Sequence, residues 1–346
     1  MLLNLLFLNS GKNRKIYKQI IFDTIVMTYV SLFDRLKHET PEGKFGGSNC
    51  FDNAYDGTLD QVLEELEESI RRPVKSTSDL LRLALHPPRI IRAVVDIKIL
   101  AYELVAYGMP NIETNGIEGL LREAIDLSLD IYQNPEAGTK RIDDFRKRIE
   151  EVGLPHLLSV RLEQKSDFAT WNATQPSKSK SSAYRLLYTP LRKDVLFIAL
   201  AHGGVAAGMD VYLRYCEISG SDNSEFYVVR FSKHKLDDQT PRLTQTEIEY
   251  LQGLSKDRYV VIFDEDSVSG KTLSQAESWF YRNVFPGKAI MALANYEGLP
   301  LPKEIIKTQP LYPTIILKHP LIYPARNNKN FFIPKEPEIL EFYAKA

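Results

Sequence analysis

The stretch Val260-Val-Ile-Phe-Asp-Glu-Asp-Ser-Val-Ser-Gly-Lys-Thr-Leu273 decides how the second half of this chain is read. Its apolar start predicts a buried strand that delivers two adjacent carboxylates, Asp264 and Glu265, at its carboxyl end. A turn of small and hydroxylated residues follows, and then a helix begins. Ser269, Thr272 and the backbone N–H groups around Gly270 are expected to face one concavity at that helix N-terminus. Unpaired N–H donors and the helix dipole make such a concavity an anion site. Carboxylates beside it would repel a phosphate unless they serve another part of the ligand. They suit the hydroxyls of a ribose, or a divalent cation bridged to them. A Walker A loop is excluded, because its first glycine would fall on Glu265.

Outward from this stretch, strands alternate with helices. Val195–Leu200 is an apolar run ending at His202-Gly203-Gly204, with a helix expected over Val205–Tyr215. Glu225–Phe231 reads as a second strand, followed by a polar loop to Thr244 and a helix through Tyr250 and Leu251. Tyr259–Phe263 is the third strand, Lys271–Val284 the next helix, Ala289–Ala294 the fourth strand and Thr314–Lys318 a fifth. That alternation predicts an α/β fold, a parallel sheet with helices on both faces. Ligands of such sheets bind at the carboxyl ends of strands, so the loops that matter start at Ala201, Phe231 and Asp264.

The acidic pair and the Ser269-Gly270-Lys271-Thr272 turn closely resemble the phosphoribosyl-diphosphate (PRPP) signature of type I phosphoribosyltransferases. The resemblance covers about Tyr184 to His319 and implies that family's parallel sheet. It implies that Asp264 and Glu265 hold the ribose hydroxyls and that Val268, Ser269, Gly270, Lys271 and Thr272 wrap the 5′-phosphate. His202, Gly203 and Gly204 lie where the family meets the diphosphate, and glycines there allow close approach of backbone N–H groups. Arg230–Arg242 occupies the place of the mobile catalytic loop, in which Lys233 and His234, with Lys235 and Arg242 nearby, would stabilise departing pyrophosphate. The catalytic residues implied are thus Lys233, His234, Asp264 and Glu265. Mg²⁺ is the implied cofactor, carried by PRPP, with Asp264 and Glu265 as its nearest protein groups. The implied reaction moves the phosphoribosyl group to a nitrogen nucleophile, an unidentified base or amine, with release of pyrophosphate. One departure narrows the acceptor: where enzymes for 6-oxopurines carry an aspartate, this chain has Val268. Base-stacking candidates are Trp171, Tyr184 and the segment Ile322–Arg326.

Residues 1–163 read as an all-helical domain of unreadable role. Thr58 and Gln61 have capping-box spacing, and Val62, Leu63, Leu66 and Ile70 share the face of the helix that follows. Glu64, Glu65, Glu67 and Glu68 are expected on its solvated side. Pro87-Pro88 is expected to break the chain and start a helix, apolar almost all round, from Ile90 to Tyr107. Further helices are expected near Ile117–Tyr132 and Ile142–Val152. Residues 164–182, rich in Ser, Thr, Lys, Asn and Pro, read as a linker or mobile surface loop, and 183–346 as the phosphoribosyltransferase-like domain. The greasy start Met1–Ser10 lacks the features of a signal peptide and is expected to dock on the body or on a partner.

Composition sets the outer bounds. With 346 residues, two domains are expected, and 44% hydrophobic residues suffice for a core. Basic and acidic residues, 44 and 45, cancel to a net charge of −1, so charge indicates no nucleic-acid partner. Two cysteines, Cys50 and Cys216, make neither a disulfide framework nor a zinc site, which points to a reduced, cytoplasmic setting. No apolar run reaches the ~20 residues of a membrane span. The helical half is the expected place for a homo-oligomer contact or a protein partner. It also motivates the alternative function, a PRPP or nucleotide sensor or effector module of a regulatory or anti-phage system, governed by that half.

Overall fold

The run Val195–Ala201 is buried at every position, the pattern of a strand covered on both faces of a parallel sheet. The structure, a computed structural model, describes residues 29–39, 54–71, 77–106, 116–164, 167–188, 194–232, 238–266 and 271–296. In chain order they form α1 (Leu32–Glu39), β1 (Tyr55–Thr58), α2 (Leu59–Arg71), α3 (Thr77–Ala106), α4 (Ile117–Gln133), α5 (Gly138–Glu151) and β2 (Arg161–Gln164). Then follow α6 (Phe168–Ala173), α7 (Pro176–Tyr188), β3 (Val195–Ala201), α8 (Gly204–Ser219), β4 (Glu225–Arg230), α9 (Gln245–Leu254), β5 (Tyr259–Asp266), α10 (Lys271–Asn283) and β6 (Ile290–Tyr296).

The fold is mixed α/β, a parallel sheet flanked by helices and joined to a helical region. The sheet order is β4-β3-β5-β6. From β3 the chain steps outward to β4, returns past β3 to β5, and continues outward to β6. Winding therefore reverses between β3 and β5, the position at which sheets of this kind form a ligand crevice at the carboxyl ends of the strands. With the right-handed crossovers that are the rule for such connections, this order would set α8 on the face opposite α9 and α10. α8 packs on β3 and β5, α10 on β5 and β6, and α7 on α8 and β6. The four strands expected up to Ala294 are all present, while Thr314–Lys318 lies outside the described residues, as does Met1–Ser10.

The helical region corrects two expectations. It is not purely helical, because β1 and β2 pair antiparallel, Tyr55 opposite Gln164. Pro87-Pro88 does not break the chain either: α3 runs through both prolines, which are buried. Pro88 has no N–H to give the Ala84 carbonyl, and an interior proline costs ~3 kcal/mol when nothing replaces that bond. Here the Tyr132 hydroxyl donates to the Ala84 oxygen at 2.5 Å. Helix α4 thus supplies from outside one of the two bonds that the helix lacks within.

Thr58 and Gln61 do form a capping box: Thr58 N–H donates to Gln61 Oε1 at 2.7 Å and Gln61 N–H to Thr58 Oγ1 at 3.2 Å. On the acidic side of α2, Glu64 and Glu68 are exposed, while Glu65 and Glu67 pair with His86 and Arg146.

The segment read as a linker is also corrected. Residues 168–173 and 176–188 are helices α6 and α7, with Pro176 at a helix start where its missing N–H is harmless. Ser179, Ser181 and Ser182 are buried, and Ser182 Oγ donates to Asn295 Oδ1 at 2.6 Å. Small hydroxylated residues let α7 lie close to the sheet while keeping their polar atoms satisfied. One apolar cluster extends from Leu32 through α3 and α4 to Ala294 of β6, so the helical region and the sheet share a core.

Candidate functional site

Two turns of the sequence meet at the reversal between β3 and β5. Ala199 stands opposite Phe263, so the His202-Gly203-Gly204 turn after β3 lies beside Asp264 and Glu265, which continue β5 alongside β6. The Glu265 carboxylate occupies the space above Gly203, where an added Cβ would lie 1.6 Å from Glu265 Oε1. A Cβ on Gly204 would stand 3.2 Å from the Phe263 carbonyl oxygen and 3.4 Å from Asp264 Cα. Gly203 thus makes room for the Glu265 side chain, and Gly204 permits a close approach of its backbone to β5. The peptide between Ala201 and His202 is cis. Asp264 Oδ1 accepts the Glu265 N–H at 3.0 Å, and Glu265 Oε2 is buried without a hydrogen-bond partner among the described residues. Of the implied PRPP residues, the structure thus brings together His202, Gly203, Gly204, Asp264 and Glu265. Lys271 and Thr272 begin α10, the first exposed and the second half-buried. Val268, Ser269 and Gly270 lie outside the described residues, as do Lys233, His234 and Lys235.

The base of the segment holding Lys233 and His234 is described and is tightly built. Ser232 N–H donates to Asp238 Oδ2 at 2.9 Å, and Arg242 N–H donates to the Arg230 carbonyl at 2.9 Å. Arg242 Nε also donates to Asp238 Oδ1 at 3.2 Å, so Arg242 is engaged with its own loop.

The helical region supplies the rest of the site. Arg92 Nε donates to the His202 carbonyl at 3.2 Å, and Arg92 Nη1 to Gln164 Oε1 at 3.0 Å. One turn further along α3, Asp96 Oδ1 accepts His202 Nε2–H at 2.7 Å and pairs with the Arg230 guanidinium. Asp96 therefore ties the end of β3 to the end of β4. Arg89, a turn before Arg92, pairs with Asp167 at 2.5 Å and stacks 4.1 Å over the Tyr55 ring. Its Nη1 also donates to His86 Nδ1 at 2.9 Å, which leaves the proton on Nε2 for Glu65 Oε2, also 2.9 Å away. Burial pushes the His86 pKa down to about 4, so the imidazole is neutral between the two charges. Burial, and then the nearby Arg89 charge, lower the Arg92 pKa, against the pull of Asp167 and Glu265. Asp167 is raised by burial despite Arg89 and Arg92.

Sequence reasoning missed Arg92 and Asp96. Their only signal was charge at helical spacing, Arg89, Arg92 and Asp96, within a largely apolar stretch of helix. Trp171 is buried, so in this structure it packs in the core and offers no open face to a base. Its helix α6 is anchored beside the site by Asn295 of β6, whose amide donates to the Ala173 carbonyl at 2.9 Å. Tyr184 of α7 is half-buried, and Ile322–Arg326 lies outside the described residues. Among the described residues no cluster of three or more His, Cys, Asp or Glu side chains could hold a metal, and no helix is long and apolar enough to cross a membrane. Comparison with protein-family models, with curated proteins and with solved structures finds no match.

Proposed function

We propose that this chain binds PRPP at the β3/β5 crevice and transfers its phosphoribosyl group to a nitrogen nucleophile, in the manner of a type I phosphoribosyltransferase. The observation that carries the reading is the meeting of two loops distant in sequence, with Glu265 seated over Gly203. In this reading Asp264 and Glu265 accept hydrogen bonds from the ribose hydroxyls, and the buried, unpartnered Glu265 Oε2 is an acceptor waiting for such a donor. Backbone N–H groups of Gly203 and Gly204 face the diphosphate, and Val268 to Thr272 wrap the 5′-phosphate. Lys233 and His234 close over the leaving group as the bond from C1 to the diphosphate oxygen breaks through an oxocarbenium-like transition state. Glu265 also fits Mg²⁺ that arrives on the ligand's own oxygens, since its Oε2 has no hydrogen-bond partner among the described residues. When bound, that ion supplies charge neutralisation to the leaving diphosphate.

A second reading, a PRPP sensor or effector, is favoured by the contacts of Arg92 and Asp96, which connect the helical region directly to the His202 loop.

Calorimetry with Mg²⁺–PRPP tests both. The wild type is expected to bind, and Asp264→Asn/Glu265→Gln is expected to lose binding. No heat from the wild type would overturn both readings. Where binding occurs, a pyrophosphate-release screen over orotate, adenine, uracil and simple amines separates them: release with any acceptor supports transfer, and release with none supports the sensor.

A further inference from the structure

Arg92 has an odd set of partners for a half-buried guanidinium. Both of its hydrogen bonds go to neutral acceptors, the His202 carbonyl and the Gln164 amide oxygen. Every other arginine named around the crevice has a carboxylate within ion-pair distance: Arg89 has Asp167, Arg230 has Asp96, and Arg242 has Asp238. A guanidinium carries five donors, so Arg92 keeps donors beyond the two in use. It is also desolvated, so that burial outweighs the more distant pull of Asp167 and Glu265 and an arriving anion is correspondingly favourable. Nε already grips the loop that would carry the diphosphate.

We infer that Arg92, supplied by the helical region, is a binding residue for the diphosphate at the His202-Gly203-Gly204 loop. This rests on the PRPP reading, and it gives the helical region a direct part in the site. Gln164 on the edge strand β2 holds the guanidinium in orientation without neutralising it.

The test compares three probes by calorimetry in the presence of Mg²⁺: PRPP, inorganic pyrophosphate and ribose 5-phosphate. Arg92→Gln should weaken PRPP and pyrophosphate by about 10- to 100-fold, as expected for loss of a charged hydrogen-bond donor. Ribose 5-phosphate, which lacks the diphosphate, should change less than about threefold. Gln164→Glu places a carboxylate on Arg92 Nη1 with the arginine still present. It should weaken the same two ligands, and it carries the test if Arg92→Gln melts early. Arg92→Lys should fall between wild type and glutamine, because charge remains but the fork is lost. Equal weakening of all three probes would make Arg92 a merely structural clip and overturn the inference. Unchanged pyrophosphate binding in both Arg92→Gln and Gln164→Glu would do the same while leaving the PRPP reading intact. A wild type that binds neither PRPP nor pyrophosphate overturns the reading and the inference together.

Discussion

At the scale of single residues the site depends on what is missing at position 203. Gly203 has φ −64° and ψ −45°, ordinary right-handed values that any residue adopts. Its glycine is therefore required by space, not by backbone conformation. The group in that space is the far end of a flexible side chain, the Glu265 carboxylate. Gly203→Ala should accordingly move Glu265 and leave the fold alone. The melting temperature is expected to stay within about 3 °C of wild type, while Mg²⁺–PRPP affinity falls about tenfold or more. A variant that unfolds, or one that binds as before, would contradict this account of the crevice. The acidic pair and the glycines were legible in sequence because each sits at the end of an apolar strand, and strand ends are where such a sheet binds ligands. Arg92 and Asp96 were not. Helical spacing says which residues share a face, but it does not say what that face meets in a distant part of the chain.

Elements show the same division between local and tertiary information. The Thr58–Gln61 box is written in adjacent residues and was readable. The continuity of α3 was not, since Pro87-Pro88 is a stop signal unless another helix caps the carbonyl they leave bare. Tyr132 does this at Ala84, and both groups are buried. Tyr132→Phe removes the donor and nothing else, leaving a buried carbonyl unpaired. It should destabilise the protein by about 1–3 kcal/mol, measured by denaturant unfolding at unchanged m-value. A neutral result would mean that α3 tolerates its prolines without help from α4. Helix α7 failed as a prediction for a related reason. Its serines look like linker composition, yet Ser179 and Ser182 are buried, with the amide of Asn295 as their partner. Composition cannot distinguish a hydroxyl facing water from one facing an asparagine of the sheet.

Across the whole molecule the near-zero net charge conceals a set of internal pairs that bind the helical region to the sheet. Lys98 of α3 meets Glu247 of α9 at 2.6 Å with both side chains buried, and Tyr227 of β4 donates to the same carboxylate oxygen at 2.6 Å. Buried Arg214 of α8 joins Asp210 at 3.1 Å and Asp34 of α1 at 2.8 Å. The Lys98–Glu247 pair, with the contacts of Arg92 and Asp96 to His202 and Arg230, holds α3 against the carboxyl end of the sheet. The helical region is thereby a wall of the proposed site. Hydrogen–deuterium exchange with and without Mg²⁺–PRPP tests that claim most directly. The account predicts slower exchange in three places on ligand addition: residues 201–206, residues 264–272, and α3 around Arg92 to Asp96. Protection absent from all three, or confined to surfaces away from the β3/β5 crevice, would contradict it.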